Sequence, residues 1–294
     1  MTLISYQQWF DTGRTRRELE RGLATGDLQR VRRGFVTDAT EPLKPSQQHL
    51  VRLRATAPYL GRQTYFSRYS AAALHGLPLF ARRYAEVTVA RAGGGHGSIA
   101  STVHARRARL GESEVTEIDG LPVTSLARTV ADLVRELPFA EAVTLTDAAL
   151  ASGVDRSILF ALTDTGRGCR RAAAAIVFAD GDSESPGESL SRVRMFQAGL
   201  VMPTLQHVVL DQAGRFLGRG DFYWEHKDVI GEFDGESKYG ELAVGRTAAQ
   251  VLMAEKRRQG RIEDTDTRVV RWTWPDIFDD TMVRRLTRVV GTAS

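Results

Sequence analysis

The sequence predicts an α/β protein built from several domains. Three observations carry that expectation. The chain has 294 residues, of which 42% are hydrophobic and 26% charged, enough to fill more than one ordinary core. Stretches with apolar residues at helical spacing take turns with stretches of strict apolar–polar alternation. One segment, Asp180-Gly181-Asp182-Ser183-Glu184-Ser185-Pro186-Gly187, breaks the composition with Gly, Ser, Asp and a Pro, and reads as a linker.

Composition removes some function classes. No apolar run approaches the roughly 20 residues of a membrane span. The first residues, Met1-Thr2-Leu3-Ile4-Ser5-Tyr6, lack the charged-then-apolar layout of a signal peptide. Cys169 is the one cysteine, which excludes an intramolecular disulfide and a zinc ribbon or finger. A cytoplasmic protein with no membrane partner is the plain expectation, and nothing bars a homodimer. The formal net charge is +4, and the arginines cluster: Arg14, Arg16, Arg17 and Arg21, then Arg30, Arg32 and Arg33, then Lys256, Arg257, Arg258 and Arg261. Such clusters suit a polyanion, with nucleic acid first in line, although each taken alone also suits a solvated face.

Residues 3–37 predict a small helical unit closed by a β-ribbon. Thr15-Arg16-Arg17-Glu18 fits a capping box, Leu19 and Leu23 share the apolar side of the helix it opens, and Gly26 ends it. Leu28-Gln29-Arg30-Val31-Arg32-Arg33-Gly34-Phe35-Val36 alternates apolar and basic residues around a glycine turn, as a hairpin wing does. A helix-turn-helix with an arginine-lined wing is an arrangement for docking in a groove and holding phosphates, here through Arg16, Arg17, Arg30, Arg32 and Arg33.

A middle region follows. Gln47 to Ala57 predicts a helix stopped by Pro58, and Ser67 opens a second one that ends at Gly76. Strands over Glu86–Ala90 and Ser101–Ala105 flank Gly93-Gly94-Gly95-His96-Gly97. A glycine loop between two strands predicts a hairpin rather than a phosphate cradle. Val115 to Thr124 reads as a strand pair about a turn, Ser125 to Leu133 as a helix, and Phe139–Leu150 and Arg167–Ala179 as further helices. His75 is placed to cap carbonyls and Asp132 to sit on a solvated or arginine-paired face. Neither is a candidate for catalysis.

The segments Thr15-Arg16-Arg17-Glu18-Leu19, Leu28 to Val36, Ser70 to Pro78 and Leu121 to Thr129 resemble the AbiEi-type antitoxins and related actinobacterial winged-helix regulators. That resemblance covers roughly the first 180 residues and implies DNA binding. It implies a winged-helix domain over 1–45 and an α+β middle domain over 46–180.

Beyond the linker the order is helix (Glu188 to Phe196), strand (Gln206 to Leu210), strand (Arg219 to Trp224), strand (Val229 to Asp234), helix (about 246–262), strand (Arg268 to Trp274) and helix. A mixed sheet with helices on its faces follows from that alternation. The candidate chemistry lies on the middle strands. Glu232 and Asp234 share a face because they are two apart. A hairpin symmetric about His226-Lys227 sets Asp221 opposite Glu232, with Cβ atoms about 5 Å apart. Three carboxylates would then converge on one patch, and a divalent cation held by oxygen ligands is the usual remedy.

Ser185-Pro186-Gly187-Glu188, Gly220-Asp221-Phe222, Glu232-Phe233-Asp234-Gly235 and Arg268-Val269-Val270-Arg271-Trp272 resemble the PD-(D/E)XK nuclease fold, in the branch of the Vsr-like endonucleases and DUF559 proteins. The resemblance covers about the last 110 residues, taken as a domain over 181–294. It implies Asp221 and Glu232 as metal-binding carboxylates, with Glu188 as a helix-borne acid near the same ion. It implies Mg²⁺, or Mn²⁺ in its place, as cofactor, and hydrolysis of DNA in repair or defence. Asp234 stands where the family carries its lysine, so Lys238, or next Lys256, is the candidate cation, and Arg257 and Arg258 are candidates for the phosphate track. The same residues have plain readings: Glu188 as a helix cap, Glu232 and Asp234 as polar residues on an exposed sheet face. The rival functions are an antitoxin-type regulator whose nuclease-like domain is inactive, and a nuclease for RNA or damaged DNA.

Overall fold

A computed structural model describes residues 2–38, 41–92, 103–235 and 267–293. It is a mixed α/β protein whose chain divides into two compact units, Met1–Leu137 with Val154–Ala174, and Pro138–Gly153 with Ala175–Ser294.

The first unit opens with β1 (Leu3–Ser5), α1 (Tyr6–Asp11), α2 (Arg16–Thr25), β2 (Gln29–Arg32) and β3 (Phe35–Thr37). Thr15 and Glu18 form the expected capping box, each side chain binding the other's backbone N–H, and Gly26 closes α2 in the left-handed conformation. The strands run in the order β1-β3-β2 over a core of Trp9, Leu19, Leu28 and Val36. Helix α3 (Pro45–Thr56) follows and stops just before Pro58, which has no N–H to continue it.

A second sheet of this unit has the order β6-β5-β4-β8-β7, built from β4 (Thr64–Phe66), β5 (Val87–Arg91), β6 (Val103–Arg107), β7 (Val115–Ile118) and β8 (Leu121–Thr124). Here one expectation fails. β5 and β6 pair in parallel, Val87 with Val103 through Arg91 with Arg107, so the segment between them is not a hairpin. Parallel neighbours require the chain to travel back the length of a strand, which a tight turn cannot do. The glycines at 93–97 lie outside the described residues. Helices α4 (Arg68–Leu74) and α5 (Leu126–Val134) match expectation. The His75 ring bonds the Thr124 carbonyl at 2.8 Å, and Arg128 holds Asp132 at 3.0 Å, so both side chains serve the fold.

The second unit begins with α6 (Phe139–Ala151). The chain then returns to the first unit for α7 (Arg156–Thr163), a helix absent from the expected set, before α8 (Cys169–Phe178), whose residues divide between the units. The stretch expected to be a linker is docked instead. Asp147 of α6 accepts from the Asp180 N–H at 2.7 Å and from Arg192 at 3.2 Å, while Arg192 also reaches Ser183 Oγ and the Phe178 carbonyl. Ser183, Asp147 and Arg192 are buried. Polar composition predicted exposure, but these groups satisfy one another inside the fold. The sequence division between 180 and 181 therefore falls within this unit.

Helix α9 (Pro186–Gln197) leads into a sheet of order β12-β11-β10-β9, from β9 (Thr204–Leu210), β10 (Phe216–Trp224), β11 (Val229–Phe233) and β12 (Arg268–Trp272). The β9, β10 and β11 neighbours are antiparallel and β11–β12 parallel, giving the mixed sheet expected. Phe222, Trp224, Val229, Phe233 and Trp272 pack with Leu190 and Met195 of α9 and with α10 (Trp274–Phe278) and α11 (Thr281–Val290). The helix expected over 246–262 lies outside the described residues. Among the described residues no helix is long and apolar enough to cross a membrane.

Candidate active site

The β10–β11 register matches the symmetric hairpin: Phe222 faces Gly231, Tyr223 faces Ile230 and Trp224 faces Val229. One step further along lies the Asp221–Glu232 level. There the Phe233 N–H donates to Asp221 Oδ2 at 2.8 Å, so the carboxylate leans towards the β11 backbone. The next N–H, of Asp234, points to the other neighbour and donates to the Trp272 carbonyl at 2.8 Å. Glu232 is 3% exposed. A carboxylate so far from water must be matched.

Its match comes from β12, where Arg271 stands in register with Glu232. One guanidinium nitrogen lies 2.5 Å from Glu232 Oε2, and another lies 3.4 Å from Asp234 Oδ1. The planar fork of arginine suits that double contact.

Glu188 enters from the first turn of α9. Gly187 beside it lies flat on Phe233; a Cβ there would fall 2.0 Å from the ring, so only glycine lets the helix start this close to β11. Ser185 caps α9, accepting from the Glu188 N–H, and its hydroxyl donates to Glu188 Oε1 at 2.7 Å. Oε2 accepts from the Glu184 N–H at 3.0 Å and from Gln206 Nε2 at 2.9 Å. Burial pushes the Glu188 carboxyl above the usual carboxylate range; the Ser185 bond opposes this and the negative charge of Asp221 adds to it. Glu188 is thus both the cap of its plain reading and an electrostatic neighbour of Asp221.

The predicted residues are therefore brought together in two groups. Glu232 and Asp234 meet at Arg271, whereas Asp221 and Glu188 feel each other's charge. Among the described residues no group of three His, Cys, Asp or Glu side chains is gathered as a metal cage. The convergence of three carboxylates on one patch is not seen among the described residues, where Glu232 is in contact with Arg271 of β12. The donor chemistry still fits a hard divalent cation: every group is a carboxylate, and a buried Glu188 under like charge is what a cation would relieve. Lys238, Lys256, Arg257, Arg258 and Arg261 lie outside the described residues.

Two residues of the site escaped sequence reasoning. Arg271 lay within a strand already identified, but its partner depended on a parallel register that spacing alone does not give. Gln206 reaches Glu188 from an unusual left-handed backbone, φ 53°, in the middle of β9. No sequence signal marks a glutamine for that conformation.

In the first unit, Arg16, Arg17, Arg30 and Arg33 are exposed. Arg16 pairs with Glu20 across one helical turn. Arg32 is engaged internally: it donates to Thr56 Oγ1 at 2.8 Å and lies 4.7 Å over the Tyr59 ring. A cavity of about 610 Å³ in this unit is bordered by Trp9, Arg14, Arg21 and Asp38, among others.

No family model matches the chain. It is 29% identical over 280 residues to an uncharacterized protein of Mycobacterium tuberculosis, named Rv2248 in one strain and MT2308 in another, covering 92% of each chain. Among solved structures, that of the RV2827C protein from Mycobacterium tuberculosis is similar at 15% identity. It matches 71% of this chain and 84% of its own, with a TM-score of 0.39.

Proposed function

We propose that this protein binds DNA through its N-terminal winged helix and hydrolyses phosphodiester bonds at a PD-(D/E)XK-type site in its second unit. The observation that carries the reading is the β10–β11 register. It brings Asp221 level with a buried Glu232, beside a Glu188 whose carboxyl is raised by burial and by Asp221. Burying Glu188 under the charge of Asp221 is costly, and a costly acid of this kind marks a candidate functional site.

Asp221, Glu232 and Glu188 would hold the ion. Bound Mg²⁺ supplies Lewis-acid polarisation of a phosphoryl oxygen and a bound water of lowered pKa. The chain's own part is orientation. The Phe233 N–H fixes Asp221, Ser185 and Gln206 fix Glu188, and Arg271 fixes Glu232 and Asp234. Exposed Arg16, Arg17, Arg30 and Arg33 supply phosphate contacts that do not depend on base sequence.

A second reading, a DNA-binding regulator that does not cut, is favoured by one observation: Glu232 and Asp234 are already matched by Arg271. Supercoiled plasmid incubated with the protein and Mg²⁺ decides between them. Hydrolysis predicts nicking that falls by about 100-fold or more in Asp221→Ala, the scale of losing one transition-state contact. Plasmid left intact, with retention that needs no metal, selects the regulator.

A further inference from the structure

The two groups hold four carboxylates among the described residues, Glu188, Asp221, Glu232 and Asp234, and Arg271 is in contact with the last two. That guanidinium does two things at once. It touches Glu232, buried on β11, at 2.5 Å, and spans to Asp234, just past that strand, at 3.4 Å. It cannot adjust by losing its charge, because arginine stays protonated in proteins. A divalent ion in contact with Glu232 would therefore lie close to a fixed positive charge. Their repulsion exceeds thermal energy even where the surroundings screen well. The ion and the guanidinium compete for one carboxylate.

We propose that Arg271 is the resident counter-ion of this site. It keeps Glu232 and Asp234 folded in while no divalent cation is present, and it yields Glu232 when one binds. It is a positioning residue, acting through Glu232. The inference rests on the metal-dependent reading above, but it makes a claim about binding that cleavage does not enter.

The test is calorimetric titration of the full chain with Mn²⁺. Arg271→Gln is expected to tighten Mn²⁺ by about tenfold or more, as removal of a nearby like charge should. Arg271→Lys, which keeps the charge, is expected to stay near wild type. Adding Arg271→Gln to Glu232→Gln should change little, since the contested carboxylate has gone. A residue with a purely structural role would loosen the site when replaced, so unchanged or weaker binding in Arg271→Gln overturns the proposal.

Should Arg271→Gln fail to fold, wild-type protein still decides the matter. The Arg271 Nε–Hε NMR signal, assigned by its loss in Arg271→Lys, should shift along the Mg²⁺ binding curve. A signal that does not move overturns the proposal. If wild type binds Mn²⁺ and Arg271→Gln binds it more tightly, yet plasmid stays intact, the counter-ion role stands and the hydrolysis reading falls. If neither protein binds Mn²⁺, both fall.

Discussion

His49 sits in the first unit with no surface exposed to water. Its Nδ1–H donates to the Tyr84 carbonyl at 3.0 Å, so Nε2 accepts from Ser70 Oγ, 3.2 Å away. That hydroxyl oxygen in turn accepts from the Thr88 N–H at 2.8 Å. Burial lowers the His49 pKa to about 4, the Tyr84 bond opposes this, and the positive charge of Arg52 adds to it. The folded state therefore prefers the neutral ring, and protons bind the unfolded chain more strongly. Stability from this group is present above about pH 6.5 and is lost as pH falls towards 4, by about 3 kcal/mol at most. Urea unfolding of wild type and His49→Gln across that range should show the gap between them closing with acid. A constant gap would mean the ring is not buried neutral.

The hairpin register was legible at the same scale, because alternation and the length of one turn are local properties. The expected gathering of Asp221, Glu232 and Asp234 was not, since it depended on side-chain partners from another strand. Nor was Arg271, because its contact spans strands that the sequence separates by more than thirty residues. Gln206 was not either, since its role follows from a backbone conformation that no glutamine advertises.

Among elements, α9 depends on a contact that one methyl group would abolish. Gly187→Ala would place a Cβ inside the Phe233 ring, and that ring is wedged in the core of the second unit. Overpacking of this kind costs about 1–3 kcal/mol, so thermal unfolding should fall by several degrees. Because the shift moves the first turn of α9, Glu188 moves with it, and Mn²⁺ affinity should drop in the same variant. A variant with wild-type melting would show that α9 does not pack on Phe233.

Elements with strong local signals were the ones foreseen. The Thr15 box, the Ser185 cap and the Asp119-Gly120 turn each declare themselves within a few residues. The parallel pairing of β5 with β6 is a long-range choice, and glycine-rich sequence between two strands argued for the opposite one. Helix α7 has eight residues, too short for a periodic pattern to stand out.

For the molecule as a whole, the decisive fact is the route of the chain. The second unit takes residues 138–153 before it takes 175–294. A fragment starting at residue 181 therefore lacks α6 and leaves Arg192 without Asp147. Breaking a buried ion pair by removing one partner costs about 3–5 kcal/mol, a large share of the stability of a domain this size. The 181–294 fragment should show little cooperative unfolding by circular dichroism, whereas one starting at 138 should unfold in a single transition. The proposed DNA affinity belongs to this scale as well. Its logarithm should fall linearly with the logarithm of salt concentration through release of counterions, and a flat response in filter binding would remove the polyanion partner.

The Asp147–Arg192 pair has a consequence for how the protein is made. The acid leaves the ribosome 45 residues ahead of the base that will neutralise it. At about 5–20 residues per second the delay is some 2–9 seconds, during which α6 carries a charge it cannot yet hide. A nascent chain must keep that helix in water, or in the grip of a chaperone, until translation delivers the missing arginine.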